Sequence, residues 1–132
     1  MADAVSSQIL ADGLSQAVMK FINVSDGTGE SAVLKVDVSA LAANQNGQAC
    51  TGVTIRRIHA AVKGMSVNIL WDATTDVSAF VVAPGIYSFD LSTAPLWNNA
   101  GTGKTGDVLF TTVGASSGDT YSIILEMIKT YG

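Results

Sequence analysis

The chain has 132 residues, 48% hydrophobic and 14% charged, with a formal net charge of −4 and an isoelectric point near 4.6. That length gives one domain that buries about two-thirds of its unfolded surface without metal or disulfide, and the acidic balance, with only Arg56 and Arg57 adjacent among scattered basic residues, excludes a phosphate-neutralising nucleic-acid binder. A single cysteine, Cys50, closes no internal disulfide; no apolar run approaches the roughly 20 residues of a membrane helix, and Met1-Ala2-Asp3-Ala4 does not begin a secretory signal, so the chain reads as folded in a cytoplasm.

Residues 1–12 read as an extended N-terminal arm or edge strand with apolar Val5, Ile9 and Leu10, and residues 13–132 as one β domain. Leu14 to Val24 fits a helical stripe at Leu14, Val18 and Phe21, but the alternation of Met19, Phe21 and Asn23 with Val18, Lys20, Ile22 and Val24 predicts a strand. The Asp26-Gly27 turn that follows supports the strand. Ser31 to Val38 predicts a strand with Leu34, Val36 and Val38 on one face and Val33, Lys35 and Asp37 on the other. Leu41 to Gly52 is a polar loop, and Cys50 is expected at a strand start or loop as a small apolar residue.

Val53 to Val62 predicts a strand with Ile58, Ala60 and Val62 opposite Arg57 and His59. Lys63-Gly64 turns the chain into Met65 to Trp71, where Met65, Val67, Ile69 and Trp71 share a side and Trp71 reads as core. A turn at Asp72 to Asp76 leads into Val77 to Val82, and Pro84-Gly85 into Ile86 to Leu91. Ser92 to Gly106 is a long loop around Leu96 and Trp97, of the kind that makes contacts. Asp107 to Val113 is a further strand. Tyr121 to Tyr131 closes the chain, with Tyr121, Ile123, Leu125 and Met127 on one face and Ser122, Ile124, Glu126 and Ile128 on the other. A strand apolar on both faces is central, or packs against another subunit. Eight or nine strands without helical interleaving predict an all-β fold, an antiparallel β-sandwich or jelly-roll-like barrel.

Chemistry-bearing residues are sparse. Gly101-Thr102-Gly103-Lys104-Thr105 ends like a phosphate-binding loop, but Asn98 stands where the first glycine belongs and a strand, not a helix, is expected after it. His59 is the single histidine and reads as a surface or interface residue. Asp72 and Asp76 flank a turn, where aspartate bonds locally, and at most hold calcium weakly. No serine stands in a nucleophile elbow. The expectation is therefore a protein that binds or builds rather than an enzyme, with no catalytic residue, cofactor or metal.

Five segments carry a resemblance: Asp26-Gly27-Thr28-Gly29-Glu30-Ser31, Val67 to Thr74, Tyr87 to Leu91, Thr105 to Thr112 and Ser117 to Glu126, together 37 of the 132 residues. In these strand-and-turn patterns the chain resembles small β-sandwich virion structural proteins of tailed bacteriophages. The resemblance implies a capsid decoration or cement protein on the virion surface that binds the major capsid protein or other virion proteins, with neither nucleic acid nor membrane as partner. A homotrimer over local threefold axes is the expected assembly, with Val5, Ile9, Leu10, Leu96, Trp97, Ile124 and Ile128 in contacts. The runner-up is a carbohydrate- or receptor-binding module of a phage tail or fibre, using Trp97, Asn98, Asn99 and Asp107 at one end of the sandwich.

Overall fold

The computed structural model describes residues 4–13, 15–91, 93 and 95–131. Met1 to Asp3 of the expected arm, Leu14, and Ser92 and Ala94 of the long loop lie outside the described residues. Nine strands are described: β1 (Ala4–Asp12), β2 (Gln16–Asp26), β3 (Val33–Val36), β4 (Cys50–Lys63), β5 (Ser66–Trp71), β6 (Val77–Val82), β7 (Gly85–Asp90), β8 (Val108–Val113) and β9 (Ser117–Tyr131). A 3₁₀ turn, Val38–Ala40, is capped by the Asp37 side chain.

The strands form two antiparallel sheets, β1-β2-β9-β4-β7 and β3-β8-β5-β6. Four of the pairings nest inside one another: β2 with β9, β3 with β8, β4 with β7, and β5 with β6. This is one long hairpin wound around a barrel, the jelly-roll arrangement. The β4–β9 and β5–β8 ladders close the two sheets across that winding, and β1 is added outside it on the free edge of β2. The segment expected as an arm is thus extended and hydrogen-bonded to β2 of its own chain.

Alternation decides which side chains meet between the sheets. Across the five-stranded sheet, Phe21, Ile123, Ala60 and Tyr87 form one inward row, and Met19, Leu125, Ile58 and Phe89 the next. Val67, Ile69, Trp71, Val108 and Phe110 face them from the other sheet, all buried. Phe110 packs edge-on against Phe21 and Tyr121, with ring centroids 5.2 and 5.7 Å apart, a geometry favoured by the ring quadrupoles. Trp71 is core, as its strand pattern predicts, and Cys50 is buried at the first position of β4.

Two of the bulges decide which charged side chains turn inward. In β4 the extra residue is Arg56: Ile55 pairs with Met127, and Arg57 with Glu126. Strict alternation would aim Arg57 into the core beside Ile55. The bulge keeps Ile55 and Ile58 inward and turns Arg57 and His59 outward.

The second bulge corrects the sequence reading of β3. The strand is shorter than expected, and the register shifts between Leu34 and Val36. Leu34 is consequently exposed, while Lys35 and Val36 are both buried. The Lys35 ammonium lies 2.5 Å from Glu30 Oε2, and the Tyr121 hydroxyl donates to Glu30 Oε1 at 2.6 Å. A buried charge is tolerated only with such partners, and alternation carries no trace of a partner supplied by the preceding turn.

Candidate functional site

The face of the five-stranded sheet turned away from the core carries the first candidate surface. Register aligns its side chains in rows. Ile22, Ser122, Ala61 and Ile86 form one; Lys20, Ile124, His59 and Ser88 the next; then Val18, Glu126, Arg57 and Asp90; then Gln16, Ile128 and Thr54. Ile86 is 88% exposed, the most exposed of the described large hydrophobic residues. Ile124 and Ile22 are half-buried, and Ile128 and Val24 are exposed. Between Ile86 and Ile124 lies a shallow apolar depression of about 280 Å³, also lined by Ala61 and Tyr87.

A charged cluster crosses the middle of this face. Glu126 Oε2 lies 2.6 Å from His59 Nε2, Glu126 Oε1 lies 3.3 Å from Arg57 Nη1, and Arg57 Nε lies 3.6 Å from Asp90 Oδ1. His59 Nδ1 is 3.0 Å from Ser88 Oγ. The hydrogen bond with His59 is the main cause that holds the Glu126 carboxyl below its ordinary value; burial opposes it and Arg57 adds to it. A carboxyl lowered on folding stabilises the fold above its unfolded value, and that contribution is lost as pH falls through the lowered one. Glu126→Gln is therefore expected to lower the melting temperature slightly at neutral pH. The gap from wild type should close well below the ordinary carboxyl value of 4.5. A gap that persists unchanged in acid would contradict this, and the effect is small because the pair is partly open to water.

The second surface is the free edge of β1. Val5 and Ile9 point to the same side as Asn23 and Met19, their partners on β2. Unlike Asn23 and Met19, Val5 and Ile9 are exposed, and so is Leu10 at the bulge. From Val5 to Ala11 the strand has no charged residue and no proline, the devices that usually guard an edge. Its far end is fixed: the fully buried Lys129 ammonium pairs with Asp12 and donates to the carbonyls of Gly13 (2.7 Å) and Ala42 (3.1 Å).

The third surface is a cleft of about 470 Å³ at one end of the sandwich. Beyond the reach of β7, Leu96 bridges to Ile55 through two backbone hydrogen bonds of 2.8 and 2.9 Å. Leu96 packs against the core, and the next residue, Trp97, stands 66% exposed. Trp97 and Asn98 form one wall of the cleft; Thr51 to Thr54, Lys104 to Gly106 and Thr130 form the rest. The glycine-rich loop is pinned to the β5–β6 turn, where Thr74 N–H donates to Thr102 O and Thr105 N–H to Asp72 O.

No protein-family model matches the chain, and no curated protein is significantly similar to it. Among the described residues, no group of three or more His, Cys, Asp or Glu side chains is placed to hold a metal, and no helix is long and apolar enough to cross a membrane.

The residues singled out from sequence thus fall on separate surfaces. Val5, Ile9 and Leu10 lie on the β1 edge, Ile124 and Ile128 on the outer sheet face, and Trp97 at the cleft, while Leu96 serves as its backbone anchor. Asp107 is turned elsewhere: its Oδ1 accepts from Val38 N–H at 2.9 Å. Burial raises its pKa above the ordinary value, against the Val38 bond, with Asp37 and Asp72 adding to the rise. Asn99 faces a smaller depression beside Trp71 and Pro95. Asp72 and Asp76 bond within and beside their turn, to Thr105 Oγ1 and Ala73 N–H. Sequence reasoning missed Ile86. The signal was present: with Tyr87 and Phe89 inward, Ile86 alternates outward.

Proposed function

We propose that this chain is a non-enzymatic virion structural protein that decorates and cements the head of a tailed bacteriophage, docking on the major capsid protein. The observation that carries the reading is the outer face of the five-stranded sheet, where Ile86, Ile124, Ile128, Ile22 and Val24 stand outside a core that is already closed. Exposed apolar residues grouped on a rigid sheet suit a protein contact, and a charged row in their midst suits fixed register. The likeness to small phage virion proteins adds to it. The unguarded β1 edge suits strand addition by a neighbour, and the proposed assembly is a homotrimer.

The test is co-sedimentation with heads of the phage whose genome encodes the chain. Wild-type protein is expected to saturate discrete sites on the head. Ile86→Asp, which alters a side chain outside the core, is expected to weaken binding more than tenfold with the melting temperature unchanged. Absence of wild-type binding, or full binding by Ile86→Asp, would contradict the proposal. Light scattering is expected to give about three times the 13.6 kDa chain mass.

A second reading, a carbohydrate- or receptor-binding module of a tail or fibre, is favoured by a different observation: the Trp97 cleft.

A further inference from the structure

We infer that the Trp97 cleft binds an acidic saccharide, with a pyranose ring stacked on the indole and the sugar carboxylate paired with Lys104. The inference rests on the second reading above and names the ligand class of that site. An indole this exposed is costly to leave in water, and the residue before it is tied to β4 by the Leu96–Ile55 bridge, which sets the loop at the edge of the cleft. The apolar C–H face of a pyranose matches such a ring, and its hydroxyls need polar groups around the rim. The cleft supplies them as the Thr54 and Thr130 hydroxyls and the Asn98 amide nitrogen, the Thr51 and Thr105 hydroxyls being bonded to Thr130 O and Asp72.

Two features select the charge of the ligand. Lys104 is the one charged residue lining the cleft, and it makes no ion pair among the described residues. Neither Asp72 nor Asp107 lines the cleft: Asp72 accepts from Thr105 Oγ1 at 2.8 Å, and Asp107 from Val38 N–H at 2.9 Å. A cleft whose one charged lining residue is an ammonium favours an anionic group over a cationic one. Gly106 lets its loop seat directly on β4, since a Cβ there would lie 1.9 Å from the Thr51 carbonyl oxygen. The cleft volume falls in the range of ordinary small-ligand sites.

The experiment is calorimetry on the full chain against a panel of uronate- and sialate-containing oligosaccharides and neutral oligosaccharides of the same lengths. At least one acidic sugar is expected to bind at least fivefold tighter than its neutral counterpart. Trp97→Ala should weaken binding of both classes at least tenfold, whereas Lys104→Met should remove only the preference for acid. Neutral and acidic sugars binding alike, with loss in Trp97→Ala, would keep the second reading and overturn the acidic class. A silent panel, or binding untouched by Trp97→Ala, would overturn both. Trp97 and Lys104 lie outside the core, and melting curves of both variants check that they fold.

Discussion

Replacing Glu30 with Ala is expected to destabilise the protein by about 3–5 kcal/mol, the range for breaking a buried ion pair from one side. The Lys35 ammonium would be left charged with its side chain 3% exposed, and the Tyr121 hydroxyl would lose its acceptor. The loss also undoes a fastening between elements. Glu30 lies in the turn between β2 and β3, Lys35 in β3 and Tyr121 in β9, so one carboxylate ties an edge strand to the central strand of the opposite sheet. Thr112 holds the Glu30 backbone from a third side, accepting from its N–H at 2.7 Å. Urea unfolding measures the cost, and the double variant Glu30→Ala with Lys35→Met supplies the control. With the stranded charge removed, more than half of the lost stability should return. A cost under about 1 kcal/mol for Glu30→Ala would mean that Lys35 finds water and that the pair behaves as a surface bridge.

Gly106→Ala is expected to cost about 3 kcal/mol or more, because two penalties combine. The residue has φ of +87°, a left-handed conformation that costs a side-chain-bearing residue roughly 1–2 kcal/mol, and the new Cβ would strike the Thr51 carbonyl of β4, a backbone atom that cannot swing aside. Gly114→Ala separates the two effects. Its φ is +76°, but nothing lies within 4 Å of the added Cβ, so only the conformational cost, about 1 kcal/mol, should appear. Equal costs at the two positions would show that the loop carrying Lys104 and Thr105 is not seated on β4, and the floor of the Trp97 cleft with it.

Much of the fold is legible in the chain where alternation runs unbroken. The clean period of two from Tyr121 to Ile128 places four side chains in the core and marks Ile124 and Ile128 as outward. Apolar character on both faces suits the central place β9 takes in its sheet. Legibility fails where a single extra residue resets the period. Nothing in Val33 to Val38 announces that Lys35 turns inward, since its partner comes from the turn before the strand. The nested pairing of strands is likewise silent in the sequence, because a turn of given length serves a hairpin and a crossover alike. The cleft is assembled from four separate stretches around Thr51, Trp97, Lys104 and Thr130. Trp97 with Asn98, and the glycine-rich run that carries Lys104, stand out before the chain is folded; Thr51 to Thr54 and Thr130 do not.

Cryo-electron microscopy of the intact phage particle would locate the proposed decorating subunit. Sandwich-shaped density is expected in symmetric clusters on the head, with the sheet face bearing Ile86, Ile124 and Ile128 against the shell. Bare heads, or the same density confined to the tail, would contradict the proposal.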